Sequence, residues 1–273
     1  MRRGHCFGRL TFAVSCAALA GAMLCAGLEA QEQDDKERRL QLMKSMIDDI
    51  EVQAETAGDP SAFKFSPTPI LRYNDPVRKQ VDATVWRLGT DGRPKALMSL
   101  ELFRDGDQSA RVVYEHSSMT GEKFLMKSER GVYWKPDAAD VTLTAIDSAA
   151  IPADNEKMRL SQMKDVIRRF HVVEDLDGNR TELRLLAQHL DRYRDDKAKI
   201  IDGVVFAFAH GTNPELAVLL ECDGKKWTYG FVRLTSAAVI VELDGAKVFD
   251  MPQLYNLFRT STYSASGHRV ELP

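Results

Sequence analysis

Arg72-Tyr73 and Arg192-Tyr193 stand 120 positions apart in this chain, and both dipeptides are equipped to hold an anion. A guanidinium clamps a carboxylate or phosphate through two parallel N–H bonds, and the adjacent phenol offers a flat face on which a ligand can stack. Two such pairs imply either two equivalent ligand pockets or two copies of a structural clamp. In the clamp, each arginine bonds an acid of its own half, Asp82 or Glu101 in one and Asp202 or Glu221 in the other, and the tyrosine fills the core. Repetition favours the clamp, because what two diverged copies share is usually what the fold requires. Trp86 and Phe206, also 120 apart, are either the lining of a cavity for an apolar molecule or ordinary inward-facing core.

Signatures of dedicated chemistry are missing. There is no G-x-S-x-G turn to present a serine nucleophile and no H-E-x-x-H. His116, His171, His189, His210 and His268 are never spaced to chelate an ion from one helical turn. The acidic run "DLDGNRTE" from Asp175 places Gly178 fourth, where a calcium loop needs it sixth, and reads as a turn. No catalytic residue, metal or cofactor is predicted, and the balance is against an enzyme. The enzymatic reading that survives is a hydrolase site gathered from distant residues, which a pocket holding His210 beside a perturbed carboxylate would favour.

Residues 1–30 have the pattern of a signal peptide: Arg2, Arg3 and Arg9, the apolar "LTFAVSCAALAGAMLCAGL", then "LEA" before Gln31. An uncleaved membrane anchor is the alternative, since the apolar run is just long enough to cross a bilayer. Without that segment the chain keeps 34 basic and 39 acidic residues, so nucleic acid is not an expected partner. Of the four cysteines, Cys222 alone is left, which excludes an internal disulfide. No second apolar stretch is long enough to span a membrane. The expected product is exported, periplasmic or secreted.

The elements that position these residues follow from the 120-residue interval. From Arg39/Arg159 to Glu101/Glu221 the chain aligns with itself over 63 positions without a gap, with 16 identities. Unrelated sequence would give about four, so a tandem duplication is predicted. Each copy opens with an apolar stripe at helical spacing, Leu40, Met43, Ile47 and Ile50 in one and Leu160, Met163, Ile167 and Phe170 in the other. Asp34 or Asp35 would cap the first helix, and Asp154 or Asn155 the second. The shared glycines, Gly58 and Gly178, would mark the turn after each helix. Beyond them the period becomes two, and "VDATVWRL" with "PKALMSLELF" and "IDGVVFAFA" with "PELAVLLEC" read as hairpins continued by further strands. The expected fold is α+β, each half an amphipathic helix packed on an antiparallel β-meander. The halves would span 32–137 and 153–252, with a linker at 138–152 and a tail at 253–273.

The phrases "LRYNDPVRK", "VWRLGTDGRPKAL", "LRLLAQHLDRYR", "IDGVVFAFAHGTNPELAVLLE" and "KKWTY" resemble a family of secreted, uncharacterised proteins from planctomycete bacteria. The resemblance covers most of the chain after residue 30 and implies export, with no activity to carry over. The expected function is a non-catalytic binding or interaction module, whose partner is an apolar or anionic small molecule or an envelope protein. A structural subunit of the cell envelope and the hydrolase above are the alternatives.

Overall fold

The structure, a computed structural model, describes residues 31–55, 63–106, 109–137, 141–255 and 259–272. The expected signal segment and Gly58 lie outside the described residues. The chain divides into a leading unit that ends at Leu42 and a second unit from Met43 to Leu272. Residues 31–42 of the leading unit are helical, with Lys36 paired to Glu32 at 2.7 Å and Gln41 to Glu37 at 2.7 Å one turn apart. This helix, α1, continues to residue 48, so Asp34 and Asp35 lie inside it rather than capping it.

The second unit runs β1 (Glu51–Ala54), β2 (Leu71–Asp75), β3 (Gln80–Leu88), β4 (Ala96–Arg104), β5 (Ser109–Ser118), β6 (Phe124–Lys127), β7 (Tyr133–Trp134) and β8 (Thr144–Ala145). After α2 (Glu156–Ile167) come β9 (Phe170–Leu176), β10 (Asn179–Glu182), β11 (Arg184–Leu185), β12 (Asp191–Asp195), β13 (Ile200–His210) and β14 (Asn213–Cys222). The chain finishes with β15 (Trp227–Arg233), β16 (Ala238–Leu243), β17 (Ala246–Met251) and β18 (Tyr263–Glu271). Two large antiparallel sheets result, β18-β5-β4-β3-β2 and β11-β13-β14-β15-β8 with β12 also on β13. Two small ones are β1-β6-β7 and β10-β9-β16-β17.

This overturns the α+β expectation. Strand makes up 50 % of the described residues and helix 15 %, in four sheets, and no half is a single meander under a helix. The physical reason is visible in β14, every residue of which is buried. Side chains alternate across a strand, so such a strand fills a core on both of its faces, and one helical stripe cannot cover both. Val205, Ala207, Ala217 and Leu219 join Ala83, Val85 and Leu97 of the other large sheet in one core. Val204, Phe206, Val218 and Leu220 turn the opposite way, onto Met163 and Ile167 of α2 and Val172, Val239 and Val241 of a small sheet. The segments after the helices are strands, β1 and β9, and Gly178 (φ 83°) turns β9 into β10 instead of ending a helix. Of the runs read as extensions of the two meanders, β5 and β15 do continue the large sheets, whereas β6, β7, β16 and β17 belong to the small ones.

Equivalent positions nevertheless behave alike. Tyr73 faces Ala83 and Tyr193 faces Gly203 in the same register, each followed by a bulge before Asp75 or Asp195. Lys79 and Lys199 close the two turns at φ 60° and 59°. Two pairings cross between the halves: β8, from the segment between them, lies on β15, and β18, from the tail, lies along the whole of β5.

Gly203 has a steric reason to be glycine, since a Cβ there would stand 2.4 Å from the Tyr193 ring. Gly203→Ala is therefore expected to destabilise the fold by ~1–3 kcal/mol through overpacking, measured by urea denaturation. An unchanged midpoint would mean that the ring moves without cost.

Candidate functional site

The six residues singled out by sequence do not make one pocket. Arg72 forks onto Asp82 (2.9 and 2.6 Å) and Arg192 onto Asp202 (2.9 and 2.7 Å), each across a strand pair of its own half. Tyr73 donates to Glu101 at 2.7 Å and Tyr193 to Glu221 at 2.5 Å. Adjacent strand residues point to opposite faces, so arginine and tyrosine serve different layers. Trp86 is buried and donates to Thr84 at 2.9 Å, and Phe206 lies in the core under α2. Arg192 and Tyr193 line a pocket of about 290 Å³ together with Glu156 and Arg159.

The two tyrosine–glutamate pairs differ in what neutralises the acid. Glu221 also accepts from Arg93 Nε at 2.7 Å and Nη2 at 2.9 Å, a bidentate pair delivered by the hairpin of the other half. The position equivalent to Arg93 is Asn213, so Glu101 lacks that partner. Burial pushes the Glu101 carboxyl up from its ordinary value, and the Tyr73 hydrogen bond and the charge of Arg78 offset this only in part. Burial, then the charge of the facing glutamate, raises both phenols far beyond their usual range, so they remain donors.

Around this unbalanced end lies a group that no repeat position predicts. Arg78 sits on a 3-10 turn, Pro76–Arg78, whose backbone N–H groups are capped by Asp75. Its Nη1 is 2.9 Å from Glu215 Oε1, and its Nη2 is 2.8 Å from His210 Nδ1 and 3.7 Å from Glu174 Oε2. His210 Nδ1 is itself 2.7 Å from Glu174 Oε2. Asn213 Nδ2 reaches Glu215 Oε1 at 3.1 Å, while its buried Oδ1 has no partner among the described residues. Glu174 and Glu215 are 3 % and 2 % exposed, whereas Arg78 and His210 reach solvent at 31 % and 37 %. Burial first and the Glu174 charge second push the Glu215 carboxyl up to about 8, against the pull of Arg78. Such a cluster can hold a cation or move a proton. Sequence spacing missed it because its members come from β9, β13, β14 and the turn after β2. The available signal was the difference between copies, for Glu174 and Arg78 are matched by Ala54 and Ala198.

A second feature is a cleft of about 500 Å³ lined by Thr142, Phe231, Arg233, Phe249, Thr262 and Tyr263, among others. Phe231 and Phe249 stack in its wall at 4.7 Å between centroids. Arg233 donates Nη1 to the carbonyls of Thr235 (2.9 Å) and Ala237 (3.0 Å) and Nη2 to that of Pro252 (2.6 Å). Its guanidinium also lies 5.7 Å from the Tyr263 ring centroid. No carboxylate pairs with it within 4.0 Å among the described residues, and burial lowers its pKa more than the Tyr263 and Glu115 charges raise it.

No family model matches the chain, and no curated protein or solved structure matches it either. Among the described residues, no helix is long and apolar enough to cross a membrane.

The unequal ends of the inter-sheet core give a paired prediction. Because the folded pKa of Glu101 is raised, the native state holds that proton more tightly than the unfolded chain. Its contribution to stability is full below the ordinary value of 4.5 and is lost as pH rises through the folded value. Glu101→Gln, neutral throughout, should flatten the fall in stability as pH rises above the ordinary value of 4.5. Glu221→Gln removes the carboxylate that Arg93 forks onto and should cost ~3–5 kcal/mol. Urea denaturation of both variants across this pH range checks this, and a wild-type slope in Glu101→Gln would contradict a raised Glu101 pKa.

Proposed function

We propose that the chain is an exported, non-catalytic binding module that holds a small aromatic or apolar anion in the cleft beside Arg233. The observation that carries this reading is the state of that arginine. A partly buried guanidinium whose own fold gives it carbonyls and an aromatic face, but no carboxylate within 4.0 Å among the described residues, is short of negative charge. A ligand anion entering the cleft would supply that charge in a charge-assisted hydrogen bond, roughly twice as strong as a neutral one. The stacked Phe231 and Phe249 offer the apolar surface that a flat ring needs. The volume, about 500 Å³, falls within the range of small-molecule sites. Export is supported by the basic, apolar and small-residue order of residues 1–30 and by the resemblance to secreted planctomycete proteins.

The hydrolase reading has one observation in its favour, the proximity of His210 to a Glu215 carboxyl that keeps its proton to about pH 8. His210 Nδ1 is in contact with both Arg78 and Glu174, so this reading would leave the proton transfer to Nε2.

The cleft is tested with anilinonaphthalene sulfonate, a fluorescent aromatic anion, titrated into the folded protein. Saturable binding to one site is expected, weakened ~10-fold or more in Arg233→Gln, the loss of ~1.4 kcal/mol or more that one charge-assisted bond represents. Equal affinity in the variant would refute the role of Arg233.

A further inference from the structure

A buried acid pair, a histidine and a carboxamide converge on one arginine in the group around Glu215, and three features show that the arginine alone does not satisfy them. The first is charge. Glu174 and Glu215 are almost wholly buried, yet Arg78 is the one cation within salt-bridge distance of both among the described residues, His210 apart. The second is a conflict at His210 Nδ1. That nitrogen either accepts from Arg78 or, as N–H, donates to Glu174, but the 2.8 Å and 2.7 Å contacts require both at once. The third is Asn213, 8 % exposed, which touches Glu215 through Nδ2 while Oδ1 stays buried without a partner among the described residues. A carboxamide turned end for end would bring that oxygen to the same carboxylate.

We propose that Glu174, His210 and Glu215 form a divalent transition-metal site in which the Arg78 guanidinium stands as a tethered cation and is displaced when the ion binds. The three ligand atoms lie within 4.8 Å of one another, and an ion bonding nitrogen at ~2.0–2.1 Å and carboxylate oxygen at ~2.0–2.2 Å needs only small side-chain movement to draw them in. Ligation through the Nδ1 lone pair removes the conflict at His210, because neither neighbour then needs that nitrogen. Two positive charges compensate both carboxylates where the guanidinium compensates one. Asn213 can add its oxygen as a fourth donor. One imidazole with two carboxylates is a donor set for zinc and its first-row neighbours. Arg78 can leave: it is carried by a turn of three residues, is 31 % exposed, and is next to Val77, which is 93 % exposed. On leaving it keeps Asp75, 3.6 Å from its Nε, as an anchor.

Zn²⁺ titrated calorimetrically into the full chain, with Co²⁺ absorption as a report of coordination geometry, tests this site. One Zn²⁺ is expected per chain, and Arg78→Ala should bind it ~10-fold or more tightly than wild type, because the competing cation is gone. His210→Ala, a change at a partly exposed position, should lose ~10-fold or more in affinity, as should Glu215→Gln. Circular dichroism identifies any variant that fails to fold, in which case the remaining ones decide. Unchanged or weaker binding in Arg78→Ala, full affinity in His210→Ala, or no binding in any variant would overturn the proposal.

Discussion

Two large sheets meet face to face in this protein, and each carries a glutamate on the shared inner surface. Glu101 and Glu221 occupy equivalent positions, both under a tyrosine hydroxyl and both nearly sealed from water. Burying an ionised carboxylate costs several kcal/mol unless a charge or good hydrogen bonds answer it, so each end of the interface has to solve the same problem. At Glu221 the solution is complete, a bidentate arginine from the opposite hairpin. At Glu101 it is not, because Asn213 stands where the arginine would be. The charge of Arg78 reaches Glu101, and the polar group it forms with Glu174, His210 and Glu215 joins the two halves by charge as the apolar residues join them by packing.

Connections that cross between the halves fix the geometry of this interface. β8 follows the first half yet lies on a strand of the second, and β18 follows the second yet lies along a strand of the first. Each exchange covers an edge that would otherwise expose unpaired backbone groups. The cleft beside Arg233 is lined by Thr142 and Thr144 from one crossing segment and by Thr262 and Tyr263 from the other. A recess built from two segments distant in sequence can be reshaped by either without disturbing the strands beneath, which suits a binding surface better than a rigid core does.

Much of the local structure was legible. The Arg72–Asp82 and Arg192–Asp202 clamps follow from a repeated acid–base pair on neighbouring strands, and the hairpins at Gly89 and Gly211 follow from β-rich runs bounded by turn residues. The alternating period is the weak signal. "PELAVLLEC" is continuously apolar, which indicates burial on both faces, so one helix per half leaves a face of this strand uncovered and the small sheets supply the second cover. The tail carried no such signal, since "YSASGHRVE" is polar and takes its place from the edge of β5. The group around His210 was illegible by spacing for a simpler reason: it joins the stretch from His210 to Glu215 with Glu174, 36 positions from His210, and with Arg78, 132 positions from it, and only folding brings these together.

Identity and difference between positions 120 apart carry opposite meanings. Arg72, Tyr73, Asp82 and Glu101 recur because any sheet of this shape needs the same clamp and the same buried hydrogen bond, whatever the protein binds. Glu174, Arg78 and His210 stand opposite Ala54, Ala198 and Thr90, small residues that evidently serve the scaffold well enough. An alanine at each of these places is the cheaper choice for folding, because it brings no charge to bury and little side-chain entropy to lose. Charged and titratable groups, Arg78 from one half and Glu174 and His210 from the other, nevertheless stand together at one end of the interface, close enough to contact each other and open to solvent through Arg78 and His210. Stability alone gives no reason to concentrate that cost at one end of a pseudo-symmetric interface, and so the asymmetric end is where the chemistry of this chain is to be sought.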